Sequence, residues 1–210
     1  DLQLTRDKKV VVHHDRSLKR VCGADISIGD LSYKQLKEYR LHKTNERIPL
    51  FSEALTVVGG KVPLIIELKS YDPVDILCPL VWEILKDYKG EYCIESFDPK
   101  IVAWFKTYHP HVLRGQLMAH FTGKEPEFNS GFKAFFARNL WTNVVSRPHF
   151  EAYDLHARNN ISHRIACGLM KMQEASWTIR TAEEYRLCKS AGALCIFEYI
   201  RPEISDGHEH

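Results

Sequence analysis

Apolar positions along the chain change their spacing repeatedly, and the changes divide it into strands and helices. At the start, Leu2 and Leu4 alternate with Gln3 and Thr5, a polar cluster runs from Arg6 to Lys9, and Val10, Val11 and Val12 begin a return strand. This pattern predicts a β-hairpin. A two-residue loop at Asp7 and Lys8 sets Asp1 opposite His14. A three-residue loop moves that pairing by one position, and a slip of one turns a side chain to the other face. Ser17 to Arg47 is mostly polar. Its one marked helix starts at the capping box Ser32 and Gln35, inside the apolar staple Leu31 and Leu36, and is expected to run towards His42.

Pro49 to Val58 then predicts a helix closed by Gly59 and Gly60. Val62 to Lys69 is an apolar run broken by one acid and one lysine, as in a parallel strand covered on both faces. Asp72-Pro73 is expected to cap a helix that passes Trp82, Ile84 and Leu85 on its way to Gly90, bent at Pro79. Tyr92 to Phe97 is the next strand. Asp98-Pro99 opens a helix that buries Ile101, Val102, Trp104 and Phe105 and that Pro110 stops; Val112 to Met118 is a strand again. Between His120 and Leu140 the periodicity is poor. Phe121, Phe128, Phe132, Phe135 and Phe136 there suit either a lid over a site or a helix packing its aromatics on the core. Phe150 to His156 predicts a strand, Ile161 to Leu169 a helix, and Lys171 to Ile179 a strand carrying Trp177. Thr181 and Glu184 make a capping box for a helix ending at Gly192, and Leu194 to Glu198 is the closing strand. Strands that alternate with capped helices predict βα units and an α/β fold.

With 210 residues and 44% apolar composition the chain can bury a substantial core, and a single domain over 1–210 is expected. Its 29 basic and 27 acidic residues are interspersed, for a formal charge of +2. No such field recruits nucleic acid by itself, and no nucleic-acid partner is expected. The six cysteines have no metal-ligand spacing and are expected to be reduced thiols. No run approaches the ~20 apolar residues of a membrane span, so no stable membrane insertion is expected. With no secretory signal before Asp1, a cytoplasmic location is expected. A homodimer is left open.

The hairpin carries a resemblance. Asp1, Thr5 and Asp7, followed by Val11, Val12, His14, Asp15, Leu18 and Arg20, resemble the glycerophosphodiester phosphodiesterase family. The resemblance continues through Ile48 to Leu55, Leu64 to Lys69, Glu95 to Phe97, Val112 to Gly115 and Trp177 to Ile179. It implies a TIM (β/α)8 barrel whose first strand, with its H-R-G stretch and the first acid of an E-x-D pair, would precede Asp1. The first strand of the hairpin and the six strands read after the hairpin, seven in all, would be the rest, and the polar stretch of about 17–47 would be the family's small insertion.

The resemblance also implies a function: metal-dependent hydrolysis of a small-molecule glycerophosphodiester to an alcohol and glycerol 3-phosphate. On it, His14 is one of two acid/base histidines, Asp1 and Glu67 are ligands of one divalent cation, Ca²⁺ or Mg²⁺, and Lys69 faces the phosphate. Carboxylate oxygens suit such hard cations. Glu67 and Lys69, two apart, share one strand face, at the end of a barrel strand where such barrels place their chemistry. Phe97 and Trp177 would wall the glycerol, and Glu95 would be a further polar contact beside the metal. His13, adjacent to His14, should point the other way. Asp15 either orients His14 or caps its loop. His109 and His111 lack partner ligands and are set aside. The alternatives are a lipid-directed phosphodiesterase on the same barrel, or a non-catalytic binder of glycerophosphodiesters.

Overall fold

The computed structural model describes residues 1–118, 146–155, 167–168 and 171–202. The expected lid or helix of 120–140, the helix of 161–169 apart from 167–168, and His156 lie outside the described residues.

Six parallel strands form one sheet in chain order: β3 (Leu64–Glu67), β4 (Tyr92–Ser96), β5 (Leu113–Met118), β6 (Phe150–Asp154), β7 (Gln173–Ile179) and β8 (Leu194–Phe197). The hairpin is β1 (Leu2–Leu4) paired antiparallel with β2 (Val10–Val12). Leu2 bridges in parallel to Leu68, and the Lys69 N–H donates to the Leu2 carbonyl at 3.0 Å. β1 therefore continues the array beside β3 as a seventh strand position. The result is a curled parallel sheet of the α/β barrel type, with its crossovers supplied by helices.

The helices begin where local chemistry satisfies their free N–H groups. For α5 (Pro99–Tyr108) the Asp98 carboxylate accepts from the Lys100 N–H at 2.8 Å. For α6 (Ala182–Ser190) the expected Thr181 and Glu184 capping box is formed. α3 (Phe51–Val58) ends on Gly59 at φ 56°, a left-handed position that favours glycine. α4 (Val74–Leu85) begins after Pro73 and contains Pro79, but Asp72 does not cap it. The Asp72 carboxylate instead accepts the Leu4 N–H at 2.8 Å and ties the hairpin to the β3–α4 loop. Leu2, Leu4 and Val10 from the hairpin, Ile66 and Ile94 from the sheet, and Leu77, Val81, Ile101 and Phe105 from α4 and α5 form one buried cluster.

The stretch read as an insertion has a cluster of its own. It contains α1 (Lys19–Cys22), a 3₁₀ turn (Ile28–Asp30) and α2 (Tyr33–Leu36), and Leu18, Ile28, Leu31 and Leu36 pack there with Val11 and Ile48. The capping box at Ser32 is present. The helix stops far short of His42, because the chain turns back: the Leu41 N–H donates to the Glu46 carbonyl at 2.9 Å, and His42 adopts φ 51°.

The hairpin register differs from the two-residue loop. Leu2 faces Val12 and Leu4 faces Val10, so Asp1 lies opposite His13, whose N–H donates to the Asp1 carbonyl at 3.0 Å. The loop is Arg6-Asp7-Lys8, with Lys8 left-handed at φ 62°. Asp7 stabilises this tight turn by accepting from the Thr5 hydroxyl at 2.7 Å and from the distant Tyr33 N–H at 2.8 Å. All six cysteines are free thiols.

Candidate active site

A cleft of about 380 Å³ opens at the C-terminal ends of the sheet strands. Asp1, His14, Glu67, Lys69, Glu95, Phe97 and Trp177 all line it, so every site residue singled out in the sequence comes to one place. The elements explain why. Glu67 and Glu95 are register partners at the ends of adjacent parallel strands, and Lys69 and Phe97 follow each of them by two positions on the same side.

Lys69 is buried at 6% exposure and ties the acids together. Its Nζ meets Asp1 Oδ1 at 2.9 Å and Glu67 Oε2 at 2.8 Å, so those two oxygens can be no farther apart than the two lengths combined. Glu95 is also buried. Burial, then the neighbouring Glu67 charge, push its carboxyl up to about 7 against the opposing pull of Lys69. Its Oε2 has no hydrogen-bond partner among the described residues. The Asp1 and Glu67 carboxylates thus flank the Lys69 ammonium, Glu95 lies near enough to feel its charge, and one Glu95 oxygen has no donor among the described residues. That oxygen-rich donor set suits a hard divalent cation. As they stand, no three His, Cys, Asp or Glu side chains among the described residues are already arranged around a common metal position.

His14 reaches the cleft although its strand register is not the one that pairs it with Asp1. β2 ends at Val12, and the buried Gln3 amide donates to the carbonyls of both His13 and Asp15 at 2.7 Å. The backbone is pinned on either side of His14, whose exposed ring turns outward. Its Nδ1 lies 2.7 Å from Asp15 Oδ1, and Arg20 grips the other side of that carboxylate. Asp15 therefore orients the ring. His13 is 7% exposed, with Nε2 at 3.4 Å from the Ser17 carbonyl, and burial lowers its pKa. It does not line the cleft. His109 stacks on Trp82 with ring centroids 3.7 Å apart, a packing role consistent with setting it aside.

The opposite wall is apolar. Phe97 and Trp177 meet edge to face at 5.9 Å, and Ile65, Leu117, Ile196 and Phe197 continue the wall. Leu117, Ile196, Phe197, Thr178 and Glu198 were not singled out in the sequence. The signal available was strand parity, since Leu117 and Ile196 fall on the inward face next to residues already placed there. Trp177 adds something parity could not give: its indole N–H is buried without a partner among the described residues.

Residues 1–198 match the model of the glycerophosphoryl diester phosphodiesterase family. The chain belongs to this family. Among curated relatives, lysophospholipase D GDPD1 of Rattus norvegicus is 32% identical over 104 residues, covering 44% of this chain and 32% of the relative. The chain thus matches about a third of the length of those relatives. A solved glycerophosphodiester phosphodiesterase from Parabacteroides distasonis superposes with a TM-score of 0.72 at 18% identity, over 94% of this chain and 77% of that one. An Oleispira antarctica phosphodiesterase, solved with the product sn-glycerol-3-phosphate, superposes with a TM-score of 0.72 at 17% identity, over 94% and 78%. At such identities the likeness is one of fold, and the family's solved members extend the curled sheet seen here to a (β/α)8 barrel.

Proposed function

We propose that the protein hydrolyses glycerophosphodiesters to an alcohol and glycerol 3-phosphate. The observation that carries this is the convergence of three carboxylates, a buried ammonium, an oriented histidine and an apolar wall in one cleft. Cleaving a phosphodiester requires charge neutralisation on phosphoryl oxygen and a proton for the departing alkoxide.

Lys69 offers its ammonium to a phosphoryl oxygen, and His14, held by Asp15, delivers the proton to the leaving oxygen. Phe97 and Trp177 flank the glycerol, with the Trp177 N–H, which has no partner among the described residues, available as a donor to one of its oxygens. Asp1 and Glu67 would hold one divalent cation, Ca²⁺ or Mg²⁺, with Glu95 beside them. When bound, such an ion stabilises charge on the phosphate as a Lewis acid. In the route the family resemblance implies, a glycerol hydroxyl attacks phosphorus, the P–O bond to the alcohol breaks, and water then opens the cyclic phosphate. That chemistry also needs a base for the attacking hydroxyl, a part that the resemblance gives to the other of its two acid/base histidines, while His14, which lines the cleft, serves the leaving oxygen.

A second reading has its own observation in favour. Phe197, at 46% exposure, extends the apolar wall outward, where an acyl chain on the glycerol of a lysophospholipid could lie. Among the described residues no helix is long and apolar enough to cross a membrane. The test is hydrolysis of glycerophosphocholine and of lysophosphatidylcholine by the full-length protein with Ca²⁺ or Mg²⁺, scored by release of glycerol 3-phosphate or its acylated form. Release of neither would overturn the proposal.

A further inference from the structure

His14 lines two cavities. The second, about 660 Å³, adjoins the first and is bounded by Asp15, Arg16, Ser17, Lys19, Arg20, Ser27 and Tyr71. Its charge is one-sided. Three cationic side chains and a single carboxylate line it, and that carboxylate is already engaged by His14 and Arg20. Lys19 pairs with Asp25 at 3.0 Å, but both side chains are largely exposed, so the pair is screened and weak. Arg16 makes no ion pair among the described residues, and its guanidinium lies over the Tyr71 ring at 5.8 Å from the centroid.

We infer that this second cavity receives the departing alcohol of the diester and favours alcohols that carry a negative charge. The inference rests on the proposed function. If His14 gives its proton to the leaving oxygen, that oxygen sits next to His14, and the alcohol attached to it extends away from the glycerol. The glycerol side is the wall of Phe97 and Trp177. The basic cavity is the other space that His14 lines. A phosphorylated polyol there would meet Arg16, Lys19 and Arg20, whose heads can make charge-assisted hydrogen bonds to phosphate. A quaternary ammonium would have to compete with the Arg16 guanidinium for the face of Tyr71 that it lies over.

The experiment compares kcat/KM of the full-length protein for glycerophosphoinositol 4-phosphate and for glycerophosphocholine. The expected result is at least about a tenfold preference for the phosphorylated inositol at low salt, narrowing as ionic strength rises. Arg16→Gln and Arg16→Glu should shift the ratio towards choline, the second further than the first, by about tenfold or more and mainly through KM. Arg16 is exposed, so unchanged thermal unfolding of Arg16→Gln separates the effect from misfolding. Turnover of both substrates with no preference, or a ratio that Arg16→Glu does not move, would overturn the inference and leave the activity standing. No turnover of either would overturn both.

Discussion

Arg20 grips both oxygens of Asp15, with Nε 2.6 Å from Oδ2 and Nη2 3.1 Å from Oδ1. The same Oδ1 meets His14 Nδ1 at 2.7 Å, so the acid holds the ring at one end while a guanidinium fork holds the acid at the other. Burial pushes the Asp15 carboxyl up, but Arg20 and His14 together outweigh it and hold the pKa at about 2. A carboxyl with a folded pKa below its unfolded value binds fewer protons when folded. Its stabilisation is complete above the unfolded value near 3.8 and disappears as pH falls through about 2. Urea unfolding should therefore show wild type more stable than Asp15→Asn at pH 6. The difference should shrink at pH 3 and vanish near pH 2; a difference independent of pH would show that the clamp is not what Asp15 contributes.

The two adjacent histidines should separate cleanly in kinetics. His14→Ala is expected to lower turnover of glycerophosphocholine by roughly 10² to 10⁴-fold, the range for a lost acid/base group, with metal affinity nearly intact. His13→Ala should act mainly on stability, since His13 is buried against the Ser17 carbonyl outside the cleft. Steady-state rates beside urea midpoints for both variants give the comparison. Equal losses of turnover at similar stability would remove His14 from proton transfer.

The strands and the starts of α5 and α6 were legible because each is encoded locally, with Asp98-Pro99 and Thr181 with Glu184 as caps. The run from Val62 to Lys69 gives only Leu64–Glu67 as strand and leaves Val62 and Ile65 exposed rather than covered, and α4 ends at Leu85, short of Gly90. The site residues were legible through motif and parity, which put Glu67, Lys69, Glu95 and Phe97 on one side of neighbouring strands. The hairpin register was not. It depends on Asp7 accepting from the Tyr33 N–H, a contact 26 positions away, which stabilises a three-residue loop. Likewise nothing near Asp72 signals that it reaches 68 positions back to the Leu4 N–H rather than capping α4. Gln3 looked like the outward half of an alternating strand, yet it is buried and fixes the backbone around His14. His14 reaches the cleft through that clamp rather than by pairing with Asp1.

Glu67 tests the proposed cation. With Ca²⁺ or Mg²⁺ present, wild type should unfold at a higher temperature than in chelator, because an ion bound only by the folded state stabilises it by mass action. Glu67→Gln keeps the size of the side chain and removes its charge, so it should abolish that shift and turnover together. Loss of turnover with an unchanged metal-induced shift would take Glu67 out of the ligand set and leave it beside Lys69 as a group handling protons.

Gly115 and Phe150 test how far the apolar wall depends on packing behind it. The two are register partners on β5 and β6, and a Cβ on Gly115 would run into the Phe150 ring. That ring packs with Leu117, Ala152, Ala175, Phe97, Trp177 and Ile196, of which Leu117, Phe97, Trp177 and Ile196 also line the cleft. Gly115→Ala must therefore displace Phe150 towards the wall, at a cost of roughly 1 to 3 kcal/mol for an overpacked site. KM for glycerophosphodiesters should rise more than kcat falls, because the acids, Lys69 and His14 stand on other strands and loops. Shortening the ring partner should relieve the clash, so Gly115→Ala with Phe150→Leu is expected to be more stable than the sum of the two single changes. Strict additivity in urea unfolding would mean that the two positions do not press on each other.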